Sequence, residues 1–333
     1  MTTVAVIGDG QMGLVLADAL QYRGADVRLW GPFKENIEEL CVTRKSPRLS
    51  DYTIDDSVLV TADSHEALHG VDVAINAIPT QFIRTVWKGL ASELSSGVPI
   101  GCVAKGIELE TQLLPTQILE DSISKGHTTC VLSGPTIATE LVHRQPAVMV
   151  SSSSDESVAM QIQELFDVPW LRIYTHGDPF GVELAGALKN VIAIAAGICD
   201  GMQLGDNAKS AMLARGLAEI SRLGVVMGAQ LETFFGIAGV GDLATTCFSP
   251  HSRNRTCGER LGLGEDLVTV TKTMGSVVEG VPTTKAVRSL SVEHGVDMPI
   301  STVMYNVLFE DLSIQDAIGS LMSRDLRSEQ LRR

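Results

Sequence analysis

The first half of the chain alternates two hydrophobic patterns. Short β-rich runs occur at "TVAVIG" (3–8), "DVRLW" (26–30), "VLVTA" (58–62), "VDVAINAI" (71–78), "PIGCVA" (99–104), "TTCVLS" (128–133), "AVMVSS" (147–152) and "WLRIYT" (170–175). Between them lie stretches of helical periodicity such as "MGLVLADALQYRG" and "LPTQILEDSISKG". Several of the strand candidates are continuously apolar, as in a parallel sheet covered on both faces. The alternation predicts a doubly wound, mostly parallel α/β domain. Past Thr175 the strand signals stop and helical periodicity takes over. Asp178 and Pro179 open the first of these helices, a capping side chain followed by the residue that loses nothing at a first helical position. Later helices read from "PISTVMYNVLFED" and, after Ser313-x-x-Asp316, from "IQDAIGSLMSR". The chain thus divides into an α/β domain at 1–177 and an all-α domain at 178–333. Only the last few polar residues read as a disordered tail, and no internal repeat is visible.

The first strand runs into Gly8-x-Gly10-x-x-Gly13, and a helical stretch follows at once. The first glycine suits a tight turn, the second a close approach to a pyrophosphate, the third close packing of helix on strand. Unpaired N–H groups at the helix start add an anion site. In this context the motif predicts a Rossmann-like domain that binds a dinucleotide, NAD(P)(H). An NAD site usually places an acid near the end of the second strand to hold the ribose 2′-OH. Here "RLWGPFKEN" has no Asp or Glu at 30–33, whereas Arg28 and Lys34 could face a 2′-phosphate. The choice between NAD and NADP stays open.

Composition narrows the class. The 333 residues, 44% hydrophobic, suffice for two domains with a real core. A net charge of −14 disfavours nucleic acid as a partner, so an anionic ligand needs a local basic cluster. The six cysteines, at 41, 102, 130, 199, 247 and 257, form no CxxC pair. They suggest neither a zinc site nor a disulfide framework, and no metal is expected. With no basic stretch before "VAVIG" a signal peptide is not expected, and with no apolar run of about 18 residues neither is a membrane span. The expected location is cytoplasmic.

Candidate chemistry concentrates in four stretches. In "PFGVELAGALKNVIAIAAGICDG", Glu183, Gly186, Lys189 and Asn190 share one sector of a helix whose other face is aliphatic. This is either a solvated face or a lysine tuned by burial and a neighbouring cation for acid–base work. "VAKGIE" sets Lys105 just past a strand end, where open α/β sheets bind ligands. "SGPTIATE" sets Gly134, Pro135 and Thr136 past the next strand, opening a helix whose N–H groups could hold an anion. "GIAGVGDLATTCFSPHSRNRTCG" follows a glycine-rich loop (236, 239, 241) with Asp242 and then Ser252-Arg253-Asn254-Arg255. A hydroxyl, an amide and two forked cations within four residues suit a phosphate.

These stretches, with "GDGQMG", "VVEGVPT" and "MPISTVMYNVL", occur in the order found in the bacterial NAD(P)-dependent glycerol-3-phosphate dehydrogenases, which the chain resembles over nearly its whole length. The resemblance implies interconversion of sn-glycerol 3-phosphate and dihydroxyacetone phosphate, reductive in the cell and supplying glycerophospholipid synthesis. It implies that Lys189 is the catalytic base, that Lys105 contacts substrate and cofactor, and that Asp242 orients Lys189. It places Gly134, Thr136, Asn190, Asp242, Thr246, Ser252, Arg253 and Asn254 at the substrate. It places Gly8, Gly10, Gln11, Met12, Gly13, Phe33, Lys105, Ala138, Arg253 and Glu279 at the cofactor. The family often has Ser-Trp where Gln11-Met12 stands, and His-Arg where Pro32-Phe33 stands. Two rival readings remain: a hydroxy-acid or sugar-acid dehydrogenase of similar layout, and a non-catalytic nucleotide sensor. The apolar C-terminal helices could pack within the chain or form a homodimer.

Overall fold

The computed structural model describes residues 1–123 and 126–325. Residues 124–125 of the "LPTQILEDSISKG" stretch and the polar tail after 325 lie outside them. Among the described residues the strands are β1 (Thr3–Ile7), β2 (Asp26–Trp30), β3 (Lys45–Ser46), β4 (Leu49–Thr53), β5 (Leu59–Thr61), β6 (Val73–Asn76), β7 (Ile100–Cys102), β8 (Thr129–Ser133), β9 (Ala147–Ser153) and β10 (Leu171–His176). Eight of them form one sheet in the order β10-β9-β8-β7-β6-β1-β2-β5. β8 and β9 pair antiparallel and every other pair in this sheet is parallel. The doubly wound, Rossmann-like α/β domain followed by an all-α region is therefore the observed fold.

Strand β1 shows why the apolar runs are continuous. Val4 and Val6 enter one buried cluster, with Leu14, Leu29 and Ile75. Ala5 and Ile7 enter another, with Ala74, Ile100 and Trp87. Both faces of the sheet are covered by helices, so no position can be polar without a partner. The chain leaves β1 for β2 on one side and returns for β6 on the other. This switch of direction opens a crevice at the carboxyl ends of β1 and β6. Beta3 and β4, absent from the sequence reading, form a separate antiparallel hairpin whose two-residue turn is Pro47-Arg48. Most of β4 ("LSDYT") is exposed, so no hydrophobic alternation announces it.

The chain separates into two compact units. One holds Met1–Lys105 and Leu113–Glu183, the other Gly106–Gln112 and the chain from Leu184 onward. The division falls within the helix Pro179–Gly201, and residues 181–199 of that helix are buried on every side. There is no solvated face of the kind the sequence left open. The helix is also long and apolar enough to span a membrane, against the sequence expectation of no such run, but that stretch is wholly buried inside the protein.

Two buried glutamates tie distant helices to these units. In the first unit, Glu183 accepts from the Thr116 amide at 2.8 Å and the Thr116 hydroxyl at 2.6 Å, capping the helix Pro115–Ser122. In the second, Glu219 accepts from the amides of Ile300 (2.6 Å) and Ser301 (3.1 Å), capping the helix Pro299–Phe309. Each helix starts with proline, and each cap comes from a carboxylate far away in sequence. Burial pushes both carboxyls up to about 7. The folded-state pKa lies above the ordinary value near 4.5, so the stability these groups add is complete below about 4.5 and is lost as pH rises through about 7. Glu219→Gln should flatten the fall in unfolding free energy between pH 5 and 8 by on the order of 1–3 kcal/mol, measured by urea melts across that range. An unchanged slope would show that Glu219 is ionised in the folded protein.

Candidate active site

In the first unit, the turn after β1 is shaped by its glycines. Gly8 has φ +125°, and a methyl there would lie 2.9 Å from the Ala77 carbonyl on β6's exit. A methyl on Gly13 would lie 1.8 Å from the Gly8 oxygen. Gly10 instead faces open space and begins the helix Gln11–Tyr22 without any side-chain cap. This cradle, backbone amides open at a helix start beside the switch of strand direction, fits a dinucleotide pyrophosphate. Gln11 donates its amide to the Arg48 carbonyl, Met12 packs on the first hydrophobic cluster, and Phe33 is an exposed helix cap.

Past β7 and β8, Lys105 donates to the Gly134 carbonyl at 2.9 Å, and the Thr136 hydroxyl donates to the same oxygen at 3.1 Å. The structure thus brings Lys105, Gly134 and Thr136 together. The helix expected to open at Gly134 starts later, at Ala138, because Gly134 sits at φ +149° and Ile137 remains extended.

The two cations that the sequence offered for a 2′-phosphate differ in how they are held. Arg28 lies within β2 and donates to the carbonyls of Glu66 (3.1 Å) and His69 (2.8 Å). Lys34 is 81% exposed in a loose pair with Glu38.

In the second unit, Lys189 is the centre. Its ammonium donates to Asp242 Oδ1 at 2.8 Å and to the Thr246 hydroxyl, and the Thr246 hydroxyl donates to the Asp242 carbonyl at 2.6 Å. The side chains of Lys189 and Asp242 are 5% and 3% exposed. Asp242 is set by a five-residue π-helical turn, Ile237–Gly241, where the sequence suggested a loop. The Gly241 amide bonds to the Gly236 carbonyl, and a methyl on Gly239 would lie 2.1 Å from the Phe234 oxygen. The wide turn needs glycine at 239, and it delivers Asp242 directly into the helix Asp242–Phe248. Nearby, burial pushes the Cys247 thiol up to about 12 even with Lys189 and Lys209 pulling it down, so no thiolate competes as a nucleophile.

Ser252 caps the helix Arg253–Gly262, its hydroxyl accepting from the Arg255 amide, and its own hydrogen stays available to a ligand. Asn254 is buried and donates to Asn190 at 2.9 Å while accepting from the Gly280 amide at 2.9 Å. That contact fixes Glu279, whose charge acts on Arg253. Arg253 itself is solvent-exposed. The two arginines therefore divide. Arg255 is held by Asp200 at 2.6 Å and by Glu259, whereas Arg253 can meet a ligand. Sequence reasoning missed Asp200 and Lys209, which pair at 2.7 Å beside Arg255. Its one available signal was an aspartate closing an otherwise apolar helix.

This arrangement depends on close contact between the helices Pro179–Gly201 and Arg253–Gly262. A methyl on Gly258 would lie 1.9 Å from the Ile194 oxygen, and one on Gly197 2.0 Å from the Arg255 oxygen. Gly258→Ala should cost at least about 1–3 kcal/mol in denaturant unfolding. Gly89→Ala, with open space inside the helix Thr80–Leu90, should instead be neutral or add up to about 1 kcal/mol. Equal responses would mean the two helices can move apart freely.

Comparison with known proteins places the chain in a family. Residues 3–159 match the family model for the NAD-dependent glycerol-3-phosphate dehydrogenase N-terminus, and residues 178–319 match that for its C-terminus. The chain is 46% identical over 332 residues to the glycerol-3-phosphate dehydrogenase [NAD(P)+] of Staphylococcus epidermidis, covering 99% of this chain and 100% of that one. It is 44% identical to the enzyme of that name from Staphylococcus aureus, with the same coverage. The crystal structure of glycerol-3-phosphate dehydrogenase from Coxiella burnetii superposes with a TM-score of 0.93 at 31% identity, over 97% of this chain and 99% of that one. With both halves matched in order, the chain belongs to the NAD-dependent glycerol-3-phosphate dehydrogenase family.

Proposed function

We infer that this protein interconverts sn-glycerol 3-phosphate and dihydroxyacetone phosphate with NAD(P)(H), and that Lys189 is its general acid and base. The observation that carries the reading is a lysine ammonium buried in an otherwise apolar helix and held by Asp242 and Thr246. Such a group is costly to keep dry and has no packing purpose. When bound, the dinucleotide exchanges hydride with substrate C2. Lys189 does the rest of the acid–base work. In oxidation Lys189, as the neutral amine, takes the proton of the C2 hydroxyl, and in reduction the ammonium returns a proton to the ketone oxygen. Asp242 and Thr246 fix where the ammonium points.

The phosphate is assigned to Arg253, with Ser252 and Asn254 beside it. Lys105, Gly134, Thr136 and Asn190 complete the substrate contacts on the family's pattern. The pyrophosphate is assigned to the Gly8–Gly13 turn, with Gln11, Met12, Phe33, Ala138 and Glu279 along the rest of the cofactor. In the cell the reaction is read as reductive, supplying glycerophospholipid synthesis.

Lys189→Ala should lower turnover by about 10²–10⁴-fold while dinucleotide affinity, measured by fluorescence titration, stays within a factor of about two. Circular dichroism establishes that the variant is folded, and a double variant with Asp242→Asn removes the stranded carboxylate. Near-normal turnover in the folded variant would end the assignment. Arg253→Ala should raise the Michaelis constant for dihydroxyacetone phosphate by about tenfold or more. An unchanged constant would place the phosphate elsewhere.

A further inference from the structure

The end of β2 lacks the acid that usually holds a ribose 2′-hydroxyl, yet the place it would occupy is filled. A methyl on Gly31 would lie 3.0 Å from the Asp9 carboxyl carbon. Asp9, from within the glycine turn, therefore reaches the position that β2 normally supplies. Its Oδ2 accepts from Arg48 Nη1 at 2.8 Å, and the same nitrogen lies 3.4 Å from the Asp9 carbonyl. Arg48 stands at the turn of the β3–β4 hairpin, and Gln11, first residue of the helix after the glycine turn, donates to its carbonyl. The Asp9 side chain is 10% exposed and that of Arg48 40%. One edge of the guanidinium is thus anchored, and the remaining N–H groups have no partner among the described residues. Of the other cations near the end of β2, Arg28 is engaged by the carbonyls of Glu66 and His69, and Lys34 is an exposed side chain that nothing fixes beyond a loose pair with Glu38.

We propose that Arg48, held by Asp9, is the contact for the ribose 2′-phosphate and sets the selectivity between NADP(H) and NAD(H). The proposal rests on the glycine turn binding the dinucleotide. A fixed, partly exposed fork can add two charge-assisted bonds to a phosphate dianion and gains little from a hydroxyl. Asp9 acts as a positioning residue, and its negative charge opposes the phosphate. Its acceptor atoms also suit a 2′-hydroxyl, so the pair can serve either cofactor while discriminating between them.

The test is equilibrium binding to the intact protein. NADP+, NAD+, adenosine 2′,5′-bisphosphate and 5′-AMP would be titrated by calorimetry against wild type, Arg48→Gln, Arg48→Lys and Asp9→Asn. Arg48→Gln should weaken NADP+ and the bisphosphate by about tenfold or more and leave NAD+ and 5′-AMP within about threefold. Arg48→Lys should recover part of the loss. Asp9→Asn keeps an acceptor for Arg48 and removes the opposing charge, so the affinity ratio should move towards NADP+. Equal weakening of both cofactors in Arg48→Gln would reduce the pair to a structural tie and overturn the proposal, as would unchanged NADP+ affinity. Failure of wild type to bind either dinucleotide would instead overturn the reading of the glycine turn.

Discussion

Removing an ammonium and a carboxylate from water together is the constraint on which the second unit is built. Separately, Lys189 and Asp242 could not be buried, and leaving either without the other would cost about 3–5 kcal/mol. Their bond holds only if the helix bearing Lys189 and the turn bearing Asp242 meet within hydrogen-bond reach. The π-helical turn and its glycines provide one side of that geometry, and Thr246, one helical turn past Asp242, provides a third partner. The close contact at Gly197 and Gly258 then brings Asn254 onto Asn190 and Gly280. A buried ion pair seldom stabilises a fold more than well-packed apolar residues would. On the proposed function, its presence here follows from the proton transfer that a dry, aimed lysine can perform.

A second pattern is that cations in this acidic chain are held by specific acids. Lys189 has Asp242, Lys209 and Arg255 share Asp200, and Arg48 has Asp9. Arg253 reaches solvent, yet the protein packed around it pulls its guanidinium below the usual arginine pKa, and the charge of Glu279 works against that. A phosphate approaching a protein of net charge −14 meets a field that repels it. Local cations must be fixed in place beforehand, since a flexible lysine would fold back onto the nearest carboxylate.

How much was legible follows from which signals are local. The central strands of the main sheet, such as β1, β6 and β7, were readable because both of their faces are buried, which favours continuous apolar runs. The glycine turn was readable because Gly8 and Gly13 each answer a steric demand and Gly10 leaves room beside the helix start. The β3–β4 hairpin was hidden by its polar composition, and with it Arg48. The sequence offered Arg28 and Lys34 for the same task because they lie near the end of β2 in the chain, and proximity in sequence says nothing of which way a strand residue points. Ser252-Arg253-Asn254-Arg255 announced a polar cluster but not its division. That division depends on Asp200, more than 50 residues earlier, reaching Arg255 and not Arg253. The aliphatic surroundings of Lys189 were visible in the sequence, whereas complete burial depends on neighbours supplied by the rest of the unit.

The distant glutamate caps bear on how the chain emerges from the ribosome. Glu219 is synthesised 81 residues before Ile300, whose amide it serves. Until those residues arrive, its carboxylate must stay hydrated at a site that will later be dry. The helix Pro299–Phe309, for its part, has no cap of its own to nucleate on. The packing around Glu219 is therefore complete only once Ile300 and Ser301 are in place, and a nascent chain stopped before Pro299 would carry an ionised glutamate where the finished protein has an interior.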